Sequence, residues 1–325
     1  MTLTIEQDKF ERFKAYLQEQ GYDFEPRPHQ VFLAKSRTLV VNLYNNGKVV
    51  ISGSNDAERK KVEAFLATLQ AQHYQKEEKQ YTSIQISGTR IGTDEAGKGD
   101  YFGPLVIAGV LANEAQADML QKLGVKDSKR LSDGTIQNLA IQIKKLLGEK
   151  QFNIVIISPI KYNVLLSRMK NLNRLLGWGH ARVIENLLIH HHGCQRAISD
   201  QFGDRSYIEN ALMKLGRRIQ LIQMPKAEQE ITVAAASILA KSESIYWFDV
   251  NSQKYGLVFP RGATNVISFA ENLVAKFGAQ ALVNVAKVHF KTTDQIRNLT
   301  DAERKQMKLG ELITTIDNEN SFENA

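Results

Sequence analysis

The amino-acid sequence predicts an α/β fold, a mixed sheet flanked by helices, with a small α+β unit before it. Apolar runs rich in β-branched residues alternate with helix-period runs from residue 82 onwards, which is typical of an α/β domain. A shorter series of one helix, three strands and one helix occupies residues 1–72. Residues 73–81 are polar and lack apolar periodicity, so they predict a linker between the two units.

The first unit is predicted from helical spacing and from a hairpin signal. Asn45, Asn46 and Gly47 accept positive φ and stand between two β-branched runs, so they predict a tight hairpin. Gly21 ends the first helix, and Asp56 can cap the second. The predicted elements are a helix over 5–20, strands over 30–34, 38–44 and 48–52, and a helix over 57–72.

The larger domain is predicted to span residues 82–311. An acidic tail without Lys or Arg follows over 312–325, and we expect it to be frayed. Strands are predicted over 83–93, 105–111, 153–158, 196–199 and 219–223, and helices over 133–147, 161–168, 175–191, 231–250, 266–276 and 279–285.

Charge and cysteine content limit the class of protein. The 325-residue chain has a formal net charge of +7, of which residues 1–80 carry +1, residues 81–311 carry +9 and residues 312–325 carry −3. A basic body suits a polyanionic substrate. The single cysteine, Cys194, excludes an internal disulfide framework and indicates a reducing, cytoplasmic location. Because no apolar run reaches about 18 residues, we expect no transmembrane helix, and the N-terminus predicts no secretory leader.

An acidic pair, Asp94-Glu95, stands at the end of an apolar run and directly before the glycine-rich segment 97–99. A glycine turn at a strand end lets another backbone approach closely. Consecutive strand residues point to opposite faces, so we expect Glu95 to sit where the chain begins to turn if both acids serve one site. A solvated acidic turn is the alternative, because most surface acids are exposed.

Two further acids occupy similar settings at strand ends. Asp200 follows the run 196–199, and Glu228 comes shortly after the run 219–223 and before a helix. Carboxylates at the ends of strands in one sheet can converge, and their oxygens are the ligands that hard divalent cations prefer. Two such ions could activate a water for phosphodiester hydrolysis, although spacing alone leaves this as one possibility among others.

The segment Gly92-Thr-Asp-Glu-Ala-Gly-Lys-Gly-Asp100, followed by Gly103-Pro-Leu105, resembles the signature of the bacterial type 2 ribonucleases H. The Gly-Lys-Gly at 97–99 resembles the corresponding segment of ribonuclease HIII, whereas ribonuclease HII has Gly-Arg-Gly there. Supporting matches are Lys126-Asp-Ser-Lys129, Asn171-Leu-Asn173, Ser199-Asp-Gln-Phe202, Lys226-Ala-Glu228, 234–241 and His289-Phe-Lys291. The resemblance covers residues 82–295, and the extra N-terminal unit also fits ribonuclease HIII.

The resemblance implies a ribonuclease H-like domain that cuts the RNA strand of RNA/DNA hybrids, with an N-terminal substrate-binding domain similar to half of the TATA-binding protein. It implies Mg²⁺ or Mn²⁺, two ions in the reacting complex, and products with 5′-phosphate and 3′-OH ends. We expect a monomer that binds a hybrid duplex and no membrane. The implied catalytic and metal-binding residues are Asp94, Glu95, Asp200 and Glu228. The implied substrate contacts are Gly97, Lys98, Gly99, Lys126, Ser128 and Lys129.

Several alternatives stay open on the sequence alone. Lys126, Ser128 and Lys129 could equally form a solvated loop. The closest enzymatic rival is activity of the ribonuclease HII type, at a single ribonucleotide within duplex DNA. A rival of another class is a duplex-binding protein without catalysis, which the presence of all four acids disfavours.

Overall fold

A computed structural model of the chain describes residues 2–27, 30–69, 72–73, 88–126, 128 and 131–309. The chain divides into two compact units, Met1–Gln85 and Ile86–Ala325, and each has a sheet of its own. The predicted tail over 312–325 and residues 74–81 of the predicted linker lie outside the described residues. No helix in the described ranges is long and apolar enough to cross a membrane.

The first unit is an antiparallel sheet with helices on one face. Its elements are β1 (Thr2–Thr4), α1 (Phe10–Glu19), β2 (Asp23–Glu25), β3 (Gln30–Lys35), β4 (Leu39–Tyr44), β5 (Lys48–Gly53), α2 (Asp56–Thr68) and β6 (Gln72–His73). The strand order is β2-β3-β4-β5-β1-β6, and all neighbouring strands run antiparallel.

Period-two patterning explains why this sheet buries one face. In β4, Leu39, Val41 and Leu43 are buried and pack with residues of α1 and α2, while the alternate positions are less buried. The predicted hairpin is confirmed, since β4 pairs with β5 and Gly47 has a φ of 80°. A Cβ at Gly47 would also lie 2.2 Å from the carbonyl oxygen of Ile5, so the turn requires glycine.

The second unit is a five-stranded sheet between two layers of helices. Its strands are β7 (Arg90–Ala96), β8 (Leu105–Ala112), β9 (Phe152–Ile157), β10 (Arg196–Asp200) and β11 (Gln220–Met224). Its helices are α3 (Glu114–Lys122), α4 (Asp133–Leu147), α5 (Pro159–Met169), α6 (Leu172–Leu188), α7 (Ser206–Glu209), α8 (Ile231–Tyr255), α9 (Ile267–Phe277), α10 (Ala279–Val285), α11 (Thr292–Gln295) and α12 (Asp301–Leu309).

The sheet order is β11-β10-β7-β8-β9. β8 runs antiparallel to β7 and β9, whereas β10 runs parallel to both β7 and β11. The predicted mixed sheet is therefore confirmed. Every residue of β8 is buried, because α4 and α8 cover one face of the sheet and α6 covers the other.

Close contact between β7 and α8 depends on one glycine and one buried ion pair. A Cβ at Gly92 would lie 2.3 Å from Oγ1 of Thr232, so a larger residue would push the helix away. Arg90, at the start of β7, bonds Glu230 at 2.7 Å with both side chains under 10% exposed. Glu230 also caps α8 by accepting from the N–H of Thr232 and Val233. These contacts fix the strand that carries the acidic pair.

Candidate active site

The carboxyl ends of three neighbouring strands meet at one edge of the second unit's sheet. Because β10 lies parallel to β7 and to β11, the three ends share that edge. Asp94 and Glu95 are near the end of β7, Asp200 ends β10, and Glu228 lies in a short 3₁₀ turn, Ala227–Gln229, after β11. All four carboxylates line one cavity of about 530 Å³.

The acidic pair remains within the regular pairing of β7. Asp94 lies opposite Ala108 of β8, and Glu95 lies opposite Ile107. The expectation that Glu95 leaves the strand's alternation is therefore wrong. Its side chain bonds His180 of α6, whereas Asp94 bonds Ser237 of α8 on the other face. Both carboxylates nevertheless line one cavity, which lies at the end of the strand.

Asp94 carries a charge that its surroundings do not favour. Burial, and after it the negative charge of Glu95, raises the pKa of Asp94 to about 6. A hydrogen bond from Ser237 partly opposes this rise. Ser237 is itself held by Ser128, whose hydroxyl lies 2.8 Å away and whose carbonyl oxygen accepts from Lys241 at 3.2 Å. This corner of the cavity thus favours the arrival of positive charge.

Glu95 has the opposite electrostatic setting. Burial raises its pKa, but the hydrogen bond and charge of His180, followed by those of Lys98, outweigh burial and lower it. Nζ of Lys98 lies 2.7 Å from Oε1 of Glu95, and Nε2 of His180 lies 3.3 Å from Oε2. His180 is fully buried, and its Nδ1 lies 2.8 Å from Oγ1 of Thr93. The two adjacent acids therefore titrate differently.

The third acid helps to hold the turn that carries the fourth. Oδ1 of Asp200 accepts from the N–H of Ala227 at 3.4 Å, next to Glu228 in the chain. Lys226 begins this turn with a left-handed φ of 59°. The backbone after β11 is thus tied to the end of β10, which keeps both carboxylates at the cavity.

The donor set suits a hard divalent cation. Carboxylate oxygens are the ligands that Mg²⁺ and similar ions take, and burial, followed by the negative charge of Glu95, raises the pKa of Asp94. Among the residues that the structure describes, no three His, Cys, Asp or Glu side chains are gathered closely enough to hold one ion. The carboxylates line the cavity without forming a closed ligand set, and Glu95 is bonded to Lys98 and His180.

The glycine-rich turn after the acids uses its two glycines differently. Gly97 has a φ of 84°, and a Cβ there would lie 2.1 Å from the carbonyl oxygen of Pro104, so the fold requires glycine. A Cβ at Gly99 would meet no atom within 4 Å, although this residue lines the cavity. Lys98, between them, also lies over the ring of Phe202 at 5.8 Å. Packing within this chain does not explain Gly99.

Of the other predicted substrate contacts, the structure places one at the cavity and one away from it. Ser128 is buried and lines the cavity, whereas Lys126 is exposed and lies outside its lining. Lys129 lies outside the described residues. His289, in the motif His289-Phe-Lys291, lines a separate cavity of about 230 Å³ together with Asn163.

Sequence reasoning missed three residues at this site. Lys241 and Arg261 line the cavity and add positive charge, and Lys241 is the last residue of the motif 234–241. His180 left a clear signal, since it occupies a buried position of α6 one turn after Leu176 and one turn before Ile184, where helical patterning favours an apolar residue.

A mixed sheet of this order, flanked by helices on both faces, is a ribonuclease H-like fold. The family model for ribonuclease HII matches residues 91–293. Ribonuclease HIII of Protochlamydia amoebophila is 39% identical over 294 residues, which is 90% of this chain and 95% of the relative. That alignment is longer than Ile86–Ala325, so it extends into the first unit.

The chain is also similar to solved structures of ribonucleases HIII and HII. The crystal structure of Bst ribonuclease HIII in complex with Mn²⁺ superposes with a TM-score of 0.61 at 25% identity, covering 91% of this chain and 97% of that chain. Ribonuclease HII of Archaeoglobus fulgidus gives a TM-score of 0.53 at 28% identity. The match takes 99% of that chain but only 66% of this one.

The chain belongs to the ribonuclease HII family and, within it, to ribonuclease HIII. It is an endoribonuclease of RNA/DNA hybrids. The rival interpretation of a duplex-binding protein without catalysis is thereby excluded.

Proposed function

We propose that Asp94, Glu95, Asp200 and Glu228 are the metal-binding, catalytic carboxylates of this enzyme. The observation that carries the proposal is their convergence, from three strand ends, on one cavity of about 530 Å³. Basic residues line the same cavity, with Lys98, Lys241 and Arg261 among them. A site with carboxylates for cations and basic groups for phosphate suits hydrolysis of a nucleic-acid backbone.

The proposed cofactor is Mg²⁺ or Mn²⁺, with two ions in the reacting complex. The Mn²⁺ complex of Bst ribonuclease HIII supports a divalent cation, as does the oxygen-only set of the four proposed ligands. When bound, such cations neutralise charge on the phosphate and activate the attacking water. Lys98 bonds Glu95 at 2.7 Å and is 42% exposed, so it can leave that carboxylate and turn to a phosphate oxygen of the substrate.

Gly97, Lys98 and Gly99 are proposed to contact the hybrid backbone and to sense ribose 2′-OH groups. The space beside Gly99 supports this proposal, because a glycine that the fold does not require leaves room for a ribose. Lys126, Ser128 and Lys129 are further proposed contacts. For Ser128, burial and the bond to Ser237 favour an indirect role in which Ser237 is kept beside Asp94.

The proposed reaction is attack of water on phosphorus with loss of the 3′ oxygen. The bond from phosphorus to the 3′ oxygen breaks, and that oxygen takes a proton and becomes the 3′-OH. The phosphate stays on the downstream fragment as its 5′-phosphate. The ribose 2′-OH serves for recognition in this scheme and does not attack phosphorus.

Cleavage of a labelled RNA/DNA hybrid in H₂¹⁸O tests the proposal. We expect Mg²⁺- or Mn²⁺-dependent cleavage that EDTA stops, and one ¹⁸O in each new 5′-phosphate by mass spectrometry. Products with a 2′,3′-cyclic phosphate would overturn the mechanism. A DNA duplex with a single ribonucleotide serves as the second substrate. Preferential incision there would favour activity of the ribonuclease HII type.

The first unit is proposed to bind the duplex. The extent of the matches supports this proposal. The alignment with a ribonuclease HIII relative extends into the first unit, whereas ribonuclease HII of Archaeoglobus fulgidus matches only 66% of the chain. Residues 1–80 are close to electrically neutral, which favours contact by shape over a strong electrostatic attraction. A monomeric, cytoplasmic enzyme remains our prediction, and light scattering on the purified protein tests the monomer.

A further inference from the structure

The carboxylate of Glu95 is held by two partners of very different mobility. Oε1 is bonded to Lys98, whose side chain is 42% exposed, whereas Oε2 is bonded to His180, which is fully buried. The His180 ring also stacks on Phe202, with centroids 5.3 Å apart and an angle of 26° between the planes. Lys98 can exchange Glu95 for a phosphate, but His180 cannot leave without disturbing the core.

Hydrogen bonds at both ring nitrogens fix the orientation of His180. An ionised carboxylate only accepts, so Nε2 of His180 must donate to Glu95. In a neutral ring Nδ1 is then an acceptor, and the group facing it, 2.8 Å away, is the hydroxyl of Thr93. That hydroxyl lies 3.5 Å from the carbonyl oxygen of Ile198, the longer of its two contacts. The Thr93 hydroxyl bonds Nδ1 in either case, as donor to a neutral ring or as acceptor from a charged one, and so keeps Nε2 directed at Glu95.

We propose that Thr93 and His180 are positioning residues that fix Oε2 of Glu95 and leave Oε1 as the oxygen available to the cavity. The inference rests on the proposed function of Glu95 as a ligand of a divalent cation. Thr93 and Glu95 lie on the same face of β7, two residues apart, so one histidine reaches both. Groups that orient ligands in this way affect metal affinity without touching the ion.

The test compares two substitutions that differ by one hydroxyl. Thr93→Val removes the hydroxyl and keeps the shape, whereas Thr93→Ser keeps the hydroxyl. We expect Thr93→Val to raise the Mn²⁺ dissociation constant of the full chain about 10-fold or more, measured by calorimetry without substrate, and Thr93→Ser to stay within about threefold of wild type. The Mn²⁺ concentration for half-maximal cleavage should rise in parallel, while the rate at saturating Mn²⁺ changes less.

A second variant and a control separate positioning from packing. His180→Gln retains an amide donor for Glu95 but cannot repeat the imidazole bridge, so we expect it to weaken Mn²⁺ binding as Thr93→Val does. Leu187→Ala removes buried volume from the same helix, α6, away from Glu95. It should lower the urea midpoint of unfolding and leave Mn²⁺ affinity unchanged.

Two outcomes would overturn the proposal, and they differ from each other. If Thr93→Val and His180→Gln lower stability like Leu187→Ala but bind Mn²⁺ like wild type, then the buried pair is only structural. If Asp94→Asn also binds Mn²⁺ like wild type, then the cation site itself is wrong, and the positioning role fails with it.

Discussion

Asp94 and Glu95 are consecutive in one strand, yet their carboxylates are bonded on opposite faces of the sheet, to Ser237 of α8 and to His180 of α6. One carboxylate is next to a neutral hydroxyl and the other next to an imidazole and an ammonium group. Their pKa values therefore move in opposite directions, and substitution of either residue should have a distinct effect.

Asp94→Asn should stabilise the metal-free protein at pH 8 by about 1–3 kcal/mol while abolishing cleavage. The folded-state pKa of about 6 lies above the reference value of 3.8, so the folded state binds more protons between those values. The penalty of charging Asp94 is thus fully present above pH 6 and fades as the pH falls towards 4. Asparagine removes it.

Urea unfolding in EDTA at pH 8 and at pH 4.5 measures this effect. Asp118→Asn, on the exposed surface of α3, is the matched control and should change stability little at either pH. A loss of stability in Asp94→Asn at pH 8 would contradict the electrostatic interpretation.

Gly97→Ala and Gly99→Ala should separate folding from substrate binding. At Gly97 the positive φ and the clash with Pro104 should cost about 2–4 kcal/mol of the free energy of unfolding. At Gly99 the added methyl group meets nothing in the chain, so stability should stay within about 0.5 kcal/mol of wild type. We expect Gly99→Ala to raise KM for the hybrid severalfold, and an unchanged KM would argue against contact between this residue and the ribose.

Lys98→Met should remove one phosphate contact. In an inactive Asp200→Asn background with Mg²⁺ present, the plot of log Kd for the hybrid against log salt should lose about one unit of slope. Lys122→Met, at the exposed end of α3, should leave the slope unchanged. Equal slopes for the two variants would show that Lys98 serves only as the partner of Glu95.

Deletion of residues 1–80 should weaken binding of the hybrid and leave the second unit folded. The second unit has its own sheet and its own buried clusters, so its unfolding transition and Mn²⁺ binding should persist. We expect KM for the hybrid to rise more than kcat falls. Equal KM values for the full-length and shortened chains would refute the substrate-binding role of the first unit.

Local patterning was sufficient for much of the fold. The hairpin at Asn45–Gly47 and the alternation of strands and helices depend on turn chemistry and periodicity, which a short window of sequence contains. The strands Thr2–Thr4, Asp23–Glu25 and Gln72–His73 were not predicted, because two or three residues carry no period and only their sheet partners make them strands. The helix Glu114–Lys122 was also missed, although Asn113 and Gln116 form a capping box at its start.

Some residues of the candidate site could likewise be predicted from local sequence, and others could not. Asp94, Glu95, Asp200 and Glu228 could be selected from sequence because acids after apolar runs are unusual and match a known signature. The spacing of α6 marks His180 as a buried polar residue, but the roles of His180 and Arg261 could not be predicted. Those roles depend on neighbours far away in the chain, since Glu95 is 85 residues before its histidine partner. A pattern along one helix shows which positions are buried but not what they face across the sheet.

By itself the sequence determined which residue types occupy the strand ends, and its period of two indicated opposite faces for Asp94 and Glu95 in a regular strand. Only the tertiary structure decided that opposite faces can serve one cavity. The cavity lies at the end of β7, where the sheet stops, and both Asp94 and Glu95 line it. The two parallel neighbours then bring Asp200 and Glu228 to that edge, because parallel strands end on the same side of a sheet.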